Sequence, residues 1–301
     1  MTWIRQTKVP SRLKGFSVRT SLDCAAAFQK IAFDCVARVK AGHGGVLAGN
    51  PEAVHQMRVA LTRLRAAVSF FAPMTADAKW RRLKKEIAWL NASLGAARDS
   101  DVLVAYARRK RFRAWAQRRT DQGLDKCQAR DHRRLVRRLD SQRFQSLMEA
   151  MTDWIKRGPW LRRWERNSLG KPAKPLKAYS ERELNRWRQR LIRKGRRLES
   201  LGASRRHRLR IRTKRLRYML EALTDIVPLH DRNEFRQLRR ATKRLQQVLG
   251  DMRDLERFAR LGASTKGGRS AKKLPNHRRH RKKLLRVAAE ALRSLKDAGR
   301  V

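Results

Sequence analysis

His55-Gln-Met-Arg-Val-Ala-Leu-Thr-Arg-Leu-Arg65 returns half a chain later as His207-Arg-Leu-Arg-Ile-Arg-Thr-Lys-Arg-Leu-Arg217, with His, Arg, Arg, Leu and Arg at matching offsets. At the ~100° per residue of an α-helix, His55, Arg58, Thr62 and Arg65 share one stripe, and Met57, Leu61, Leu64, Val68 and Phe71 share another on roughly the opposite side. The second copy repeats the division, with His207, Arg210, Lys214 and Arg217 on one stripe and Leu209, Thr213, Leu216, Leu220 and Leu223 on the other. One face packs and the other presents positive charge.

A second motif follows each copy in the same order: Leu94-Gly-Ala-Ala-Arg98-Asp99-Ser-Asp101, then Leu249-Gly-Asp-Met-Arg253-Asp254-Leu-Glu256. Two ordered matches at nearly equal intervals indicate duplication. Arg98 with Asp101, and Arg253 with Glu256, read as local i→i+3 ion pairs at the end of a packing seam, with Gly95 and Gly250 allowing close helix approach.

Periodicity is helical throughout and no alternating strand stands out, so the expected class is all-α. A first helix spans about Thr20 to Lys40, and a Gly-rich turn from Gly42 to Gly49 follows. Asn50-Pro51 supplies an N-cap and first-turn proline for a helix reaching about Phe71. Trp80, Leu83, Ile87, Leu90 and Leu94 mark a third helix continuing towards Arg109. A basic helix from about Asp125 to Leu139 comes next, and Ser141 caps another to Ile155. Gly158 to Lys177 reads as a linker.

Beyond it lie helices from Ser180 to Leu201, from a Ser204 cap through His207, from Asn233 to about Leu261, and from about Pro275 to Ala298. Ser264 to Lys273 reads as flexible. The expected architecture is two four-helix bundles related by internal pseudo-two-fold symmetry, with a first half at 1–165 and a second at 166–301.

The chain of 301 residues holds 77 Lys+Arg against 26 Asp+Glu, a net charge of +51. Arg outnumbers Lys, 55 to 22. Such an excess repels itself unless it is spread over solvated faces or neutralised by a polyanion, and guanidinium binds phosphate oxygens bidentately. Nucleic acid, an anionic membrane surface and a phosphate polymer all fit this balance. No apolar run is long enough to span a membrane and the N-terminus lacks a signal-peptide core, so a cytoplasmic protein is expected. Cys24 and Cys35 read as small core residues, and no Cys pair has zinc-site spacing.

Two converging basic stripes would form the walls of a channel for successive phosphates. Arg63 and Arg215 lie off the stripes, at the rim or against a neighbouring helix. The competing readings are a merely solvated face and histidines that stay neutral and donate to a carbonyl or carboxylate. Metal ligation is disfavoured because neither histidine has a His or carboxylate at i+3 or i+4. A metal site built from Asp99, Asp101 and Asp254 is a further alternative. For RNA, base stacking would need exposed aromatics among basic residues, as at Phe112, Trp115, Trp160 and Trp164.

These motifs resemble the CHAD family, the conserved histidine α-helical domain, over about Thr20 to Leu295. The resemblance implies two symmetry-related four-helix bundles and non-enzymatic binding of inorganic polyphosphate, with no metal and no cofactor, in the cytoplasm or at polyphosphate granules. By the same resemblance His55, Arg58, Arg63, Arg65, His207, Arg210, Lys214, Arg215 and Arg217 fall at polyphosphate-contacting positions. Thr62 departs from the pattern, since that place is usually basic. The alternatives are an RNA-binding or ribosome-associated basic protein, with nucleic acid held non-specifically, and a metal-dependent phosphohydrolase.

Overall fold

The computed structural model describes residues 23–107, 121–168, 176–224, 226–227, 233–263 and 277–298. Phe112, Trp115 and the stretch Ser264 to Lys273 lie outside them.

Asp23 accepts the Ala26 amide at 2.7 Å and opens α1 (Cys24–Leu47). The expected turn at Gly42 to Gly49 is helix up to Leu47. Two of its glycines serve helix contact instead: a Cβ on Gly45 would sit 2.7 Å from the Ala53 Cβ, and one on Gly42 would collide with Met57. The reversal is confined to Ala48 and Gly49, where Gly49 takes the left-handed φ of 73° that side chains rarely adopt. Asn50 then accepts the Glu52 amide at 2.9 Å, and Pro51 begins α2 (Pro51–Phe70) as its cap signals require.

A short α3 (Ala72–Thr75) leads to α4 (Ala78–Ala107). Helices α5 (Asp121–Leu139) and α6 (Gln142–Arg157) follow, and Ser141 caps α6 by accepting the Phe144 amide at 3.4 Å. The segment read as a linker carries another helix, α7 (Pro159–Ser168). Pro159 suits a first turn, and Trp160 is fully buried, donating through Nε1 to the Trp154 carbonyl at 2.8 Å and meeting the Phe28 ring edge-on at 5.0 Å. That burial overrides the Gly- and Pro-rich composition.

Next come α8 (Leu176–Gly195), a 3-10 turn at Leu198–Ser200, and α9 (Ala203–Thr224). Ser204 lies inside the first turn of α9 and does not cap it; the Gly202 carbonyl accepts from Arg205 and Arg206. α10 (Asn233–Ala263) and α11 (His277–Asp297) complete the described fold.

The described elements are helical with no strand among them, so the chain is all-α. α1 packs on α2 and α6, α2 on α4, and α4 on α5 and α6; in the second half α8, α9, α10 and α11 pack in a ring. The halves meet where α2 lies against α9, and α8 adds a second seam. There the Tyr179 hydroxyl donates to the Phe70 carbonyl at 2.6 Å, and the Trp187 ring meets Phe70 edge-on at 5.5 Å. Apolar side chains of both halves form one continuous core. Cys24 and Cys35 are buried within it and form no disulfide, and burial pushes the Cys35 thiol up to about 12. No described helix is long and apolar enough to cross a membrane.

Candidate anion-binding site

Burial of Val54, Met57, Leu61, Leu64 and Val68 fixes the roll of α2, and Leu209, Thr213, Leu216 and Leu220 fix that of α9. Both helices therefore turn their basic stripes into the seam where they meet. The charges feel one another across it. Lys214 of the second half feels the charge of Arg210 on its own helix and of Arg58 on the first half, and burial first, then these guanidinium groups with Arg253 and Arg217, pulls its ammonium down to about 8. His55 is depressed by burial, then by Arg98, with Lys214 and Arg58 adding to it against an opposing contribution from Glu52. His207 is depressed by burial, then by Arg253, Arg210 and Lys214.

Thr62 is explained by this convergence. Its hydroxyl donates back to the Arg58 carbonyl at 2.8 Å, so it takes no part in the cationic row, and Lys214 stands near the arginines of both helices. A second lysine at position 62 would add another half-buried like charge to the first-half row.

The second motif behaves differently from the local-pair expectation. Asp101 is buried and its Oδ1 accepts from His132 Nε2 at 2.7 Å and Gln128 Nε2 at 2.8 Å, both on α5. Glu256 accepts from Arg206 Nε at 3.1 Å. The carboxylates thus bind across helices, and Arg98 and Arg253 direct their charge at the histidines and arginines of the seam. The glycines of the motif make room for a guanidinium. Arg58 Nη1 donates to the Leu94 carbonyl at 3.2 Å and lies 3.3 Å from where a Gly95 Cβ would be. Arg210 Nη2 stands 3.7 Å from the same point on Gly250. Burial lowers both guanidinium groups, with Arg253 acting on each in the same direction while Asp99 opposes it at Arg58 and Asp254 at Arg210.

The remaining residues expected at the site separate into two groups. Arg65 and Arg215 approach each other across the seam with Arg212, an arginine that the repeat alone does not single out; burial and these two neighbours lower Arg215. Arg63 and Arg217 both hold Glu221. Arg63 Nη2 lies 3.5 Å from Glu221 Oε2, and Arg217 Nη1 donates to Oε1 at 2.6 Å while its Nε donates to Gln246 at 2.7 Å. The structure therefore gathers His55, Arg58, His207, Arg210 and Lys214, places Arg65 and Arg215 together, and engages Arg63 and Arg217 with a carboxylate. Arg98, Arg253 and Arg212 join the cluster. A sign of the first two was present in the sequence, since each follows a glycine by three residues at a nearly equal interval after its His-x-x-Arg.

Cationic groups from both halves act on one another here alongside the carboxylates of Asp99, Asp254 and Glu221, and such a gathering of guanidinium, ammonium and imidazole groups suits an anion with several oxygens along its length. Among the described residues no three His, Cys, Asp or Glu side chains gather as a metal-ligating group. The family model of the CHAD domain matches residues 30–263. This chain belongs to the CHAD family. The crystal structure of the CHAD domain from the plant Ricinus communis resembles this CHAD chain at a TM-score of 0.67 and 25% identity, covering 96% of each chain. PptA from Streptomyces chartreusis shares the fold at a TM-score of 0.56 and 15% identity, over 91% of this chain and 94% of its own. No curated protein matches the chain.

Proposed function

We propose that this CHAD protein binds inorganic polyphosphate without cleaving it, along the seam between α2 and α9, and acts as a scaffold in the cytoplasm or at the surface of polyphosphate granules. The observation that carries this reading is Lys214 set near Arg58 of one half and Arg210 of the other, with only cations depressing it besides burial. A linear polyanion entering the seam supplies the missing counter-charge to both helices at once. Arg58, Arg98 and His55 grip from the first half, and Arg210, Arg253, Lys214 and His207 from the second. Arg65, Arg212 and Arg215 extend the track.

Polyphosphate is favoured over RNA because two of the candidate stacking residues serve the core: Trp160 is fully buried, and Trp164 packs against the core as well. RNA would then be left with its phosphates as the main contacts, and a polymer of phosphate alone offers more charge per length.

The test is a titration of Arg58→Ala, Arg210→Ala beside a control lacking Lys272 and Lys273. The first pair is expected to weaken polyphosphate binding about a hundredfold or more, since each removes charge-assisted hydrogen bonds. Equal losses from both pairs would leave only diffuse electrostatics. In competition, long-chain polyphosphate is expected to displace RNA at equal phosphate concentration; failure to do so puts the RNA reading first. Both bind with strong salt dependence, so salt alone does not separate them. Phosphate release from polyphosphate with added divalent metal would overturn the non-enzymatic assignment.

A further inference from the structure

We propose that the outer face of α10 and α11 is a second polyanion surface, so that one molecule bridges two polyphosphate strands. This rests on the polyphosphate reading of the α2–α9 seam and adds a separate site to it.

On α10, Arg236, Arg239, Arg240, Lys243 and Arg244 are all exposed, while Leu238, Leu245 and Val248 seat the helix in the core. Relative to Arg253, which serves the seam, Arg240 and Arg244 lie about 140° and 180° around the helix, and Arg240 is ~20 Å along it. They point away from the first site. On α11, Arg279, Lys282, Lys283 and Arg286 are exposed on one stripe, opposite buried Leu284, Ala288 and Ala291. The pair Arg244–Glu290, at 3.0 Å, ties the two helices side by side and brings the rows together on one face.

These rows differ from ordinary solvated charge. Neither 236–244 nor 279–286 contains an acidic residue. Arg236 and Arg240, Arg240 and Arg244, Arg239 and Lys243, Arg279 and Lys283, and Lys282 and Arg286 are like-charge i→i+4 neighbours, which disfavour the helices that carry them. Arg244 is offset by Glu290, as Arg38 is by Asp34 at 2.8 Å, and among the described residues no acid meets the other cations of these rows. A long anion laid over the outer face would neutralise what the helices leave uncompensated. Among the described residues this face exposes no large aromatic for base stacking, which matches a phosphate polymer. Two such faces on one rigid fold link strands into a network, and binding at one raises the local concentration of chain at the other.

The test uses Arg236→Ala, Arg240→Ala, Lys282→Ala, Arg286→Ala, a variant that relieves i→i+4 repulsion within each helix and is expected to fold. Short polyphosphate, too short to reach both faces, is titrated to report its tighter site, which the half-buried cations assign to the seam, and long-chain polyphosphate is mixed with protein and followed by light scattering. The variant is expected to keep wild-type short-chain affinity and to need about tenfold more long chain to assemble. Assembly at the wild-type concentration, or a short-chain loss as large as that of Arg58→Ala, Arg210→Ala, overturns the second surface. If the wild type fails to bind short chains but still assembles long ones, and the outer variant abolishes that assembly, the seam reading falls and the outer surface stands.

Discussion

Arg63 on α2 and Glu221 on α9 join the two halves, Nη2 to Oε2 at 3.5 Å, while Arg217 holds the other carboxylate oxygen at 2.6 Å. Asp34 adds a longer contact to Arg63 at 3.9 Å. The position matching Glu221 in the first half is Ser69, whose hydroxyl donates to the Arg65 carbonyl at 2.8 Å. The sequence repeat therefore carries this carboxylate in its second copy only, and two of the nine residues implied by family resemblance share it.

Glu221→Gln is expected to free Arg63 and Arg217 for the anion. Polyphosphate affinity should rise, and the slope of log affinity against log salt should steepen by about two contacts' worth. Loss of the pair costs about 1 kcal/mol or less at its partial exposure, a fall in Tm of about 2 °C or less. An unchanged slope would mean that these arginines stay outside the track.

Lys214→Met separates stability from binding. The folded-state pKa of Lys214, about 8, lies below its ordinary 10.5, so below pH 8 the charged lysine disfavours the native state, and this penalty fades as pH rises through 10.5. The variant is expected to melt above the wild type at pH 7.5, by about 2–4 °C, with a gap that narrows towards pH 10.5. It should bind polyphosphate more weakly throughout. A variant that melts lower at neutral pH contradicts the cluster.

His55 and His207 predict proton uptake on binding. Both are held below 6.5 in the free protein, burial being the larger cause at each, and a bound polyanion raises them. Groups whose pKa rises on binding strengthen affinity as pH falls, so affinity at constant ionic strength should grow from pH 8 to 6. His55→Gln, His207→Gln should flatten that stretch of the profile. Above pH 8, a further fall in affinity belongs to Lys214 and should survive in the histidine variant.

The two motif glycines are expected to respond unequally to alanine. A Cβ at Gly250 meets Arg210 at an ordinary 3.7 Å, whereas at Gly95 it meets Arg58 Nη1 at 3.3 Å. Gly250→Ala should stabilise its helix by up to about 1 kcal/mol with little change in affinity. Gly95→Ala should displace the Arg58 guanidinium and weaken binding severalfold. Calorimetry on both variants reads the two effects side by side.

Asp101→Ala strands His132 and Gln128 at the α4–α5 contact and is expected to cost about 1–3 kcal/mol of stability by denaturant melting. Binding by the folded fraction should be unchanged. A variant that keeps its fold but loses a metal-dependent phosphate release would instead support the hydrolase reading.

Helices, their packed and charged faces, and the pairing of His-x-x-Arg with Leu-Gly-x-x-Arg were legible in the sequence, because each depends on spacing within one turn or on a repeat. Periodicity placed Met57, Leu61 and Leu64 in the core and so set the direction of Arg58. Choice of partner was not legible. Gly42 and Gly45 look like a turn until α2 is close enough for Met57 and Ala53 to demand their small size, and Trp160 reads as linker until Phe28 and Trp154 bury it. Asp101 sits one helical turn from Arg98 yet accepts from His132, and Glu221 meets Arg63 across more than half the chain. Such contacts arise when distant helices exclude water together, a long-range condition that no local pattern encodes, and they decide which arginines are left to hold an anion.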